Sequence, residues 1–189
     1  MSLSNAPRKG DQTRAAILAA AAVAFGDRGY ESATLEDVAG GLGLTRGAVL
    51  HHFGSKEEIL REVIGPFLAD VDALLDGIDV AKPMSAHRRR RFLTGFVDLL
   101  CDNRSVSSLL TRDITAQAHL DPTMRLADRA ERFSRLLAGP EPTDIDVLRT
   151  LIAIGGIVRP LAAPPQVLSL NTPEQRRVMV DCAIASLRS

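Results

Sequence analysis

Apolar positions recur along this chain every three or four residues, and the recurrence breaks at Gly, Pro, Asn and Asp. Alternating β-branched runs are absent, so nearly every segment reads as helix and the fold class as all-α, with about nine helices. A first helix runs from about Asp11 to Arg28 and stops at Gly29. Its alanine-rich stretch, Ala15 to Phe25, reads as a central helix packed on all sides. Two short helices joined by a tight turn follow between Thr34 and Phe53. Thr34 caps the first of them, with Asp37 as its capping-box partner, and Val38 and Leu42 face inward. Gly40 and Gly41 lie inside that helix, each costing about 1 kcal/mol relative to Ala. Gly43 takes the left-handed turn position. Thr45 caps the second, whose Arg46, Ala48, Val49, His51 and His52 divide between an inner and an outer face.

Ser55, with Glu58 three positions on, opens a fourth helix to about Asp76, which Gly65-Pro66 is expected to kink or break. After the loop Asp79 to Met84 comes a fifth helix ending near Cys101, then a sixth over about Ser105 to His119. Asp121-Pro122 is expected to open a seventh, ending at Gly139-Pro140. Thr143 or Asp144 caps an eighth, running to about Leu161, which Pro160 ends or bends; Ala163-Pro164-Pro165 marks a loop. Thr172-Pro173-Glu174-Gln175 opens the ninth, to about Leu187. Ile145, Leu148, Ile152, Ile154, Gly155 and Val158 make the eighth apolar over most of its circumference. Val178, Val180, Cys182, Ile184 and Leu187 give the ninth a broad apolar face. These two helices either complete the monomer core or form half of a four-helix bundle across a two-fold axis, where Gly155-Gly156 permits close approach.

The paired short helices form a helix-turn-helix layout, and the small, polar and basic outer face of the second suits a DNA major groove. The stretch from Thr13 to Leu60 resembles the DNA-binding domain of the tetracycline-repressor (TetR) family. The matching residues are Thr13, Arg14, Ile17, Leu18, Ala20, Ala21, Phe25, Gly29-Tyr30, Thr34, Val38, Ala39, Gly43 and Leu44. The match closes with Thr45 to Val49, His52-Phe53 and Ser55-Lys56-Glu57. Leu50 departs from the pattern, standing where the family usually has a Tyr that contacts the DNA backbone. Leu42 replaces a small residue at the helix crossing. The resemblance implies a helix-turn-helix domain over residues 1–54 and a regulatory, effector-binding and dimerising domain over 55–189. It also implies a homodimer through the last two helices, bound to a palindromic operator in double-stranded DNA and released by a small-molecule effector.

Composition narrows this reading. Net charge is formally zero, so DNA contact depends on local placement rather than bulk charge. Arg8 and Lys9 add positive charge ahead of the first helix. Cys101 and Cys182 fall in no metal or redox spacing and read as reduced, partly buried thiols of a cytoplasmic protein. No signal-peptide pattern opens the chain, and the Ala15 to Phe25 run is too short to span a bilayer, so no membrane partner is expected.

Arg46 can donate two hydrogen bonds to guanine or clamp a phosphate. Gly47 and Ala48 are small enough to let the helix approach the bases. Thr34 and Thr45 offer donors to phosphates at helix N-termini. His51 can contact a base or phosphate, and Lys56 matches the family's phosphate-contacting Lys. His51 and His52 project about a hundred degrees apart, so no metal site is expected. The run His87-Arg88-Arg89-Arg90-Arg91 reads as a solvated or salt-bridged face, with DNA backbone or an anionic effector as the alternative. No phosphate-binding Gly loop, Gly-x-Ser-x-Gly elbow or His-Glu-x-x-His is present, so neither enzyme activity nor a cofactor is expected. Candidate effector contacts are Phe67, Val71, Phe92, Phe96, Leu110 and Phe133, with Arg112, Gln117 and His119 as polar anchors. Two rival readings stay open: a helical protein-interaction module, and a helical enzyme using the body cavity.

Overall fold

The computed structural model describes residues 9–76, 78, 79, 81–163 and 166–188. Arg8, Pro164 and Pro165 lie outside the described residues. Among the described residues there are ten α-helices, one more than the sequence predicts, and one 3₁₀ turn. The head comprises α1 (Lys9–Arg28), α2 (Leu35–Gly40) and α3 (Arg46–His52). The body comprises α4 (Lys56–Leu75), α5 (Ala86–Asp102), α6 (Arg104–Arg112), α7 (Ile114–Met124), α8 (Leu126–Ala138), α9 (Asp144–Val158) and α10 (Pro173–Ser186). The 3₁₀ turn, Arg159–Ala162, follows α9.

α1 buries Ile17, Ala21 and Phe25 at helical spacing. It is not packed on all sides, because Val23, Ala15 and Ala19 face solvent. Gly40 and Gly41 are not interior to α2: Gly40 is its last residue and Gly41 its C-cap. Two amides, Leu42 N–H and Leu44 N–H, then donate to the Ala39 carbonyl. The glycines therefore sit at a helix end, where their flexibility costs less than in an interior turn.

α4 does not break at Pro66; it runs unbroken from its Ser55 cap to Asp76. Ile59, Leu60, Ile64, Phe67, Leu68, Val71 and Leu75 are buried along it, so packing outweighs the missing N–H. Glu58 completes the Ser55 cap differently from the expected box: its carboxylate accepts from Gly54 N–H at 2.9 Å.

The predicted sixth helix divides at Asp113. The Asp113 carboxylate accepts from Ala116 N–H at 2.9 Å, which starts α7, and from Tyr30 N–H of the head at 2.6 Å. One side chain thus ends one helix, starts the next and ties both to the head. α7 runs through Asp121 and Pro122 rather than opening there. The chain turns instead at Arg125, where φ is 51°. Thr143, not Asp144, caps α9 in a full capping box with Asp146. The capping box and N-terminal Pro of α10 form as predicted.

The core is one continuous cluster running from α1 through α4 to α10. α9 departs from it. Ala153 and Ile157 are buried, but Ile145, Leu148, Leu151 and Ile152 each expose more than half of their surface. Val178 of α10 does the same. Cys101 is half-buried, while Cys182 is exposed rather than partly buried.

Candidate nucleic-acid interface

α3 is built from its ends inward. The Thr45 hydroxyl accepts from Ala48 N–H at 3.2 Å, satisfying an orphan amide of the first turn. Gly43, with φ of 65°, turns the chain into that cap. Val49 is fully buried and anchors the inner face, and buried Phe53 closes the helix. Arg46, Gly47 and His51 are left exposed on the outer face, with Ala48 half-exposed beside them.

α2 is held as firmly. Thr34 and Asp37 exchange hydrogen bonds, with Asp37 N–H donating to the Thr34 hydroxyl at 3.1 Å and Thr34 N–H to the Asp37 carboxylate at 2.9 Å. The Thr34 amide and hydroxyl lower the pKa of that carboxylate, and Arg28 at 2.5 Å adds to the effect. Arg14 of α1 braces the C-terminal end of α3 against α4. Its guanidinium forks onto Glu62 of α4 and lies 4.3 Å over the Phe53 ring.

The expected contact residues fall into two groups. Arg46, Gly47, Ala48 and His51 share the open face of α3. Thr34 and Thr45 spend their hydroxyls as caps, leaving the first-turn amides of two helices beside that face. Lys56 stands apart: its ammonium lies 4.3 Å over the Tyr30 ring and donates to the Glu31 carbonyl at 3.3 Å. Tyr30 itself is buried, and burial raises the pKa of its phenol. Leu50 is half-buried and packs against the core, so this position turns an apolar group inward. Among the described residues no cluster of potential metal ligands forms.

Sequence reasoning missed Glu36. Its carboxylate lies 3.2 Å from the Arg46 guanidinium across the turn, with both side chains largely exposed. A pair spanning ten positions and a turn leaves no periodic trace. Glu36 holds Arg46 extended over the surface while leaving it displaceable, because an exposed ion pair is worth little.

The expected effector residues do not converge. Phe96 and Phe92 meet Phe133 at ring distances of 4.4 and 5.1 Å. Phe67 and Val71 are buried on α4, and Leu110 is half-buried. Phe92 reaches a groove between α4 and α5. The proposed anchors lie elsewhere. Arg112 lines a cleft of about 390 Å³ against the end of α1. Gln117 donates to the Leu110 carbonyl at 2.6 Å. His119 packs 5.2 Å from the Tyr30 ring and 3.6 Å from Glu31, on the head–body seam.

Comparison with known proteins places this geometry. Residues 17–63 match the family model for bacterial regulatory proteins of the tetR family. Over 156 residues the chain is 30% identical to the HTH-type transcriptional repressor AcnR of Corynebacterium diphtheriae, covering 79% of this chain and 81% of that protein. The fold is similar to that of the ketosteroid transcriptional regulator KstR2 of Mycobacterium tuberculosis. That match has a TM-score of 0.68 at 17% identity and covers 98% of this chain and 97% of the other. It is also similar to the TetR family regulator PfmR of Thermus thermophilus, with a TM-score of 0.61 at 25% identity over 92% of this chain and 99% of that one. With its helix-turn-helix and helical body in place, the chain belongs to the TetR family of bacterial transcriptional regulators.

Proposed function

We propose that this protein is a cytoplasmic homodimeric repressor that reads a palindromic operator and is released by a small-molecule effector. The observation that carries the reading is the outer face of α3, where the small residues Gly47 and Ala48 follow an exposed Arg46 paired with an exposed Glu36. Residues 1–54 form the DNA-binding unit and residues 55–189 the regulatory one. Arg46 reads a base edge, Gly47 and Ala48 admit the helix to the groove, and His51 reaches a base or phosphate. The helix starts at Thr34 and Thr45 bind phosphate, and Lys56 supports them from the Tyr30 ring.

The dimer forms through α9 and α10. The exposed side chains Ile145, Leu148, Leu151 and Ile152 on α9 and Val178 on α10 offer an apolar surface to a second copy. A Cβ at Gly155 or Gly156 would meet nothing within 4 Å, which leaves room for close helix approach. Two recognition helices then sit roughly 34 Å apart. α4 runs from the head into the body, and the Asp113–Tyr30 hydrogen bond ties the head to α6 and α7. An effector that favours one head spacing over another shifts DNA affinity by its differential binding. The relatives are transcriptional regulators, and the reading assigns no catalysis to the body.

Fluorescence anisotropy on a selected operator and a scrambled duplex, across a salt series, tests this. Arg46→Ala is expected to weaken operator binding by about 1–3 kcal/mol while leaving scrambled DNA less affected. Equal losses on both would reduce Arg46 to a phosphate contact. Affinity without salt dependence would remove the DNA reading.

A further inference from the structure

A groove of about 530 Å³ lies between the C-terminal end of α4 and the facing side of α5. That volume lies in the range of small-molecule sites. Its floor is apolar, formed by Ala73, Leu74, Ile78 and Phe92. Its rim carries two carboxylates, Asp76 and Asp98, and two guanidiniums, Arg88 and Arg91. The carboxylates are already engaged, Asp76 with Arg132 at 3.1 Å and Asp98 at 3.2 Å with Arg176, which also pairs with Asp102 at 2.7 Å. Arg90 turns away to Asp181 at 2.7 Å. Arg88 and Arg91 are exposed and have no ion-pair partner among the described residues. Three positions apart on α5, they project from one face. The groove therefore presents, beside an apolar floor, two guanidiniums that form no ion pair among the described residues.

Folding does not account for that charge. Arg88 lies in the first turn of α5, where the helix macrodipole favours anions, and no acidic residue shares that turn. Operator DNA does not account for it either. α4 extends 20 residues from the head, roughly 30 Å at the helical rise, and the groove lies at its far end.

We propose that this groove binds a small anionic amphiphile, an alkyl chain ending in a carboxylate or phosphate. The chain lies along Leu74, Ile78 and Phe92, and the head group takes charge-assisted hydrogen bonds from Arg88 and Arg91. The proposal rests on the effector reading only for its regulatory consequence; binding itself is measured without DNA.

The test is titration calorimetry of the full chain with decyl phosphate below its micelle concentration, beside inorganic phosphate and decanol. Saturable binding of decyl phosphate is expected, at least tenfold tighter than of either comparator. Arg88→Gln/Arg91→Gln is expected to raise its Kd at least tenfold, whereas Arg177→Gln, outside the groove, binds like the parent. Leu74→Glu, which places a negative charge on the floor, provides a second variant with the same expected loss. Equal binding by the double variant, equal binding of decanol, or no binding would overturn the proposal. So would retention by anionic phosphatidylglycerol vesicles without binding of the monomeric probe, which would assign the arginines to a membrane surface. Tight binding that leaves operator affinity unchanged supports the site and removes the effector role alone.

Discussion

Two helices of this chain turn a bare face to solvent, and the faces differ in kind. α3 shows Arg46, Gly47 and His51; α9 shows Ile145, Leu148, Leu151 and Ile152. The α3 face is stable in water without a partner. Its polar groups are solvated, and its helix is held from behind by Val49, Phe53 and the Thr45 cap. The α9 face is not. Each such side chain, with a little over half of its surface still exposed, would gain about half of the roughly 1.5–3 kcal/mol of full burial, and the stripe is too contiguous to be scattered surface apolarity. On the proposed reading, reversible recognition and permanent assembly leave different marks on an otherwise similar helix. The first leaves small and charged residues on a rigid support, the second an uncovered piece of core.

The contrast between the two faces breaks most readily at α9. Ile152→Glu buries an unpaired charge twice in a two-fold seam and is expected to weaken self-association by ~100-fold or more. Sedimentation velocity reads this as a shift from dimer to monomer. Val23→Glu, at an exposed apolar residue outside the stripe, is expected to leave the dimer intact. A persistent Ile152→Glu dimer would place the seam elsewhere. On the α3 side the effect is smaller. Arg46→Ala is expected to cost roughly tenfold to a hundredfold in operator affinity with an unchanged melting temperature. Smaller again is Thr45→Ala, which strips the α3 cap and is expected to lower stability by about 1 kcal/mol. Chemical denaturation checks this value.

The smallest effect is pH-linked. Asp37 has its pKa lowered from 3.8 by the Thr34 amide and hydroxyl. Its folded-state pKa is below its unfolded one, so its stabilisation is complete above the ordinary carboxylate range and is lost as pH falls through the depressed value. Asp37→Asn is expected to flatten the dependence of melting temperature on pH below about 4. An unchanged slope would mean that the Thr34–Asp37 exchange contributes nothing.

How much of this was legible in the sequence differs between head and body. In the head the signals are local: Thr34 and Thr45 cap as their spacing predicts, and Gly43 takes its positive φ. In the body the decisive groups act across the chain. Asp113 divides a predicted helix because its carboxylate is shared between Ala116 and Tyr30, 83 positions away in sequence. Pro66 is carried through α4 by the burial around it, a tertiary effect with no local sign. The exposure of Arg46, Gly47 and His51 on α3 was readable because outer-face composition follows from helical period. Which buried apolar residues face a ligand leaves no such sign, because apolar residues of core and pocket look alike in sequence. Arg112 and His119 accordingly lie on the head–body seam, away from the Phe92–Phe96–Phe133 cluster.

The most direct test of a dimer that reads DNA through α3 is selection from a random duplex pool. It is run in parallel with the parent protein and Ile152→Glu at physiological salt. The parent is expected to enrich a palindrome with half-sites about one helical turn apart. The variant is expected to enrich a single half-site, or to enrich far more weakly. No enriched sequence for the parent, or the same palindrome for a variant shown to be monomeric, would contradict a paired reading of DNA by α3.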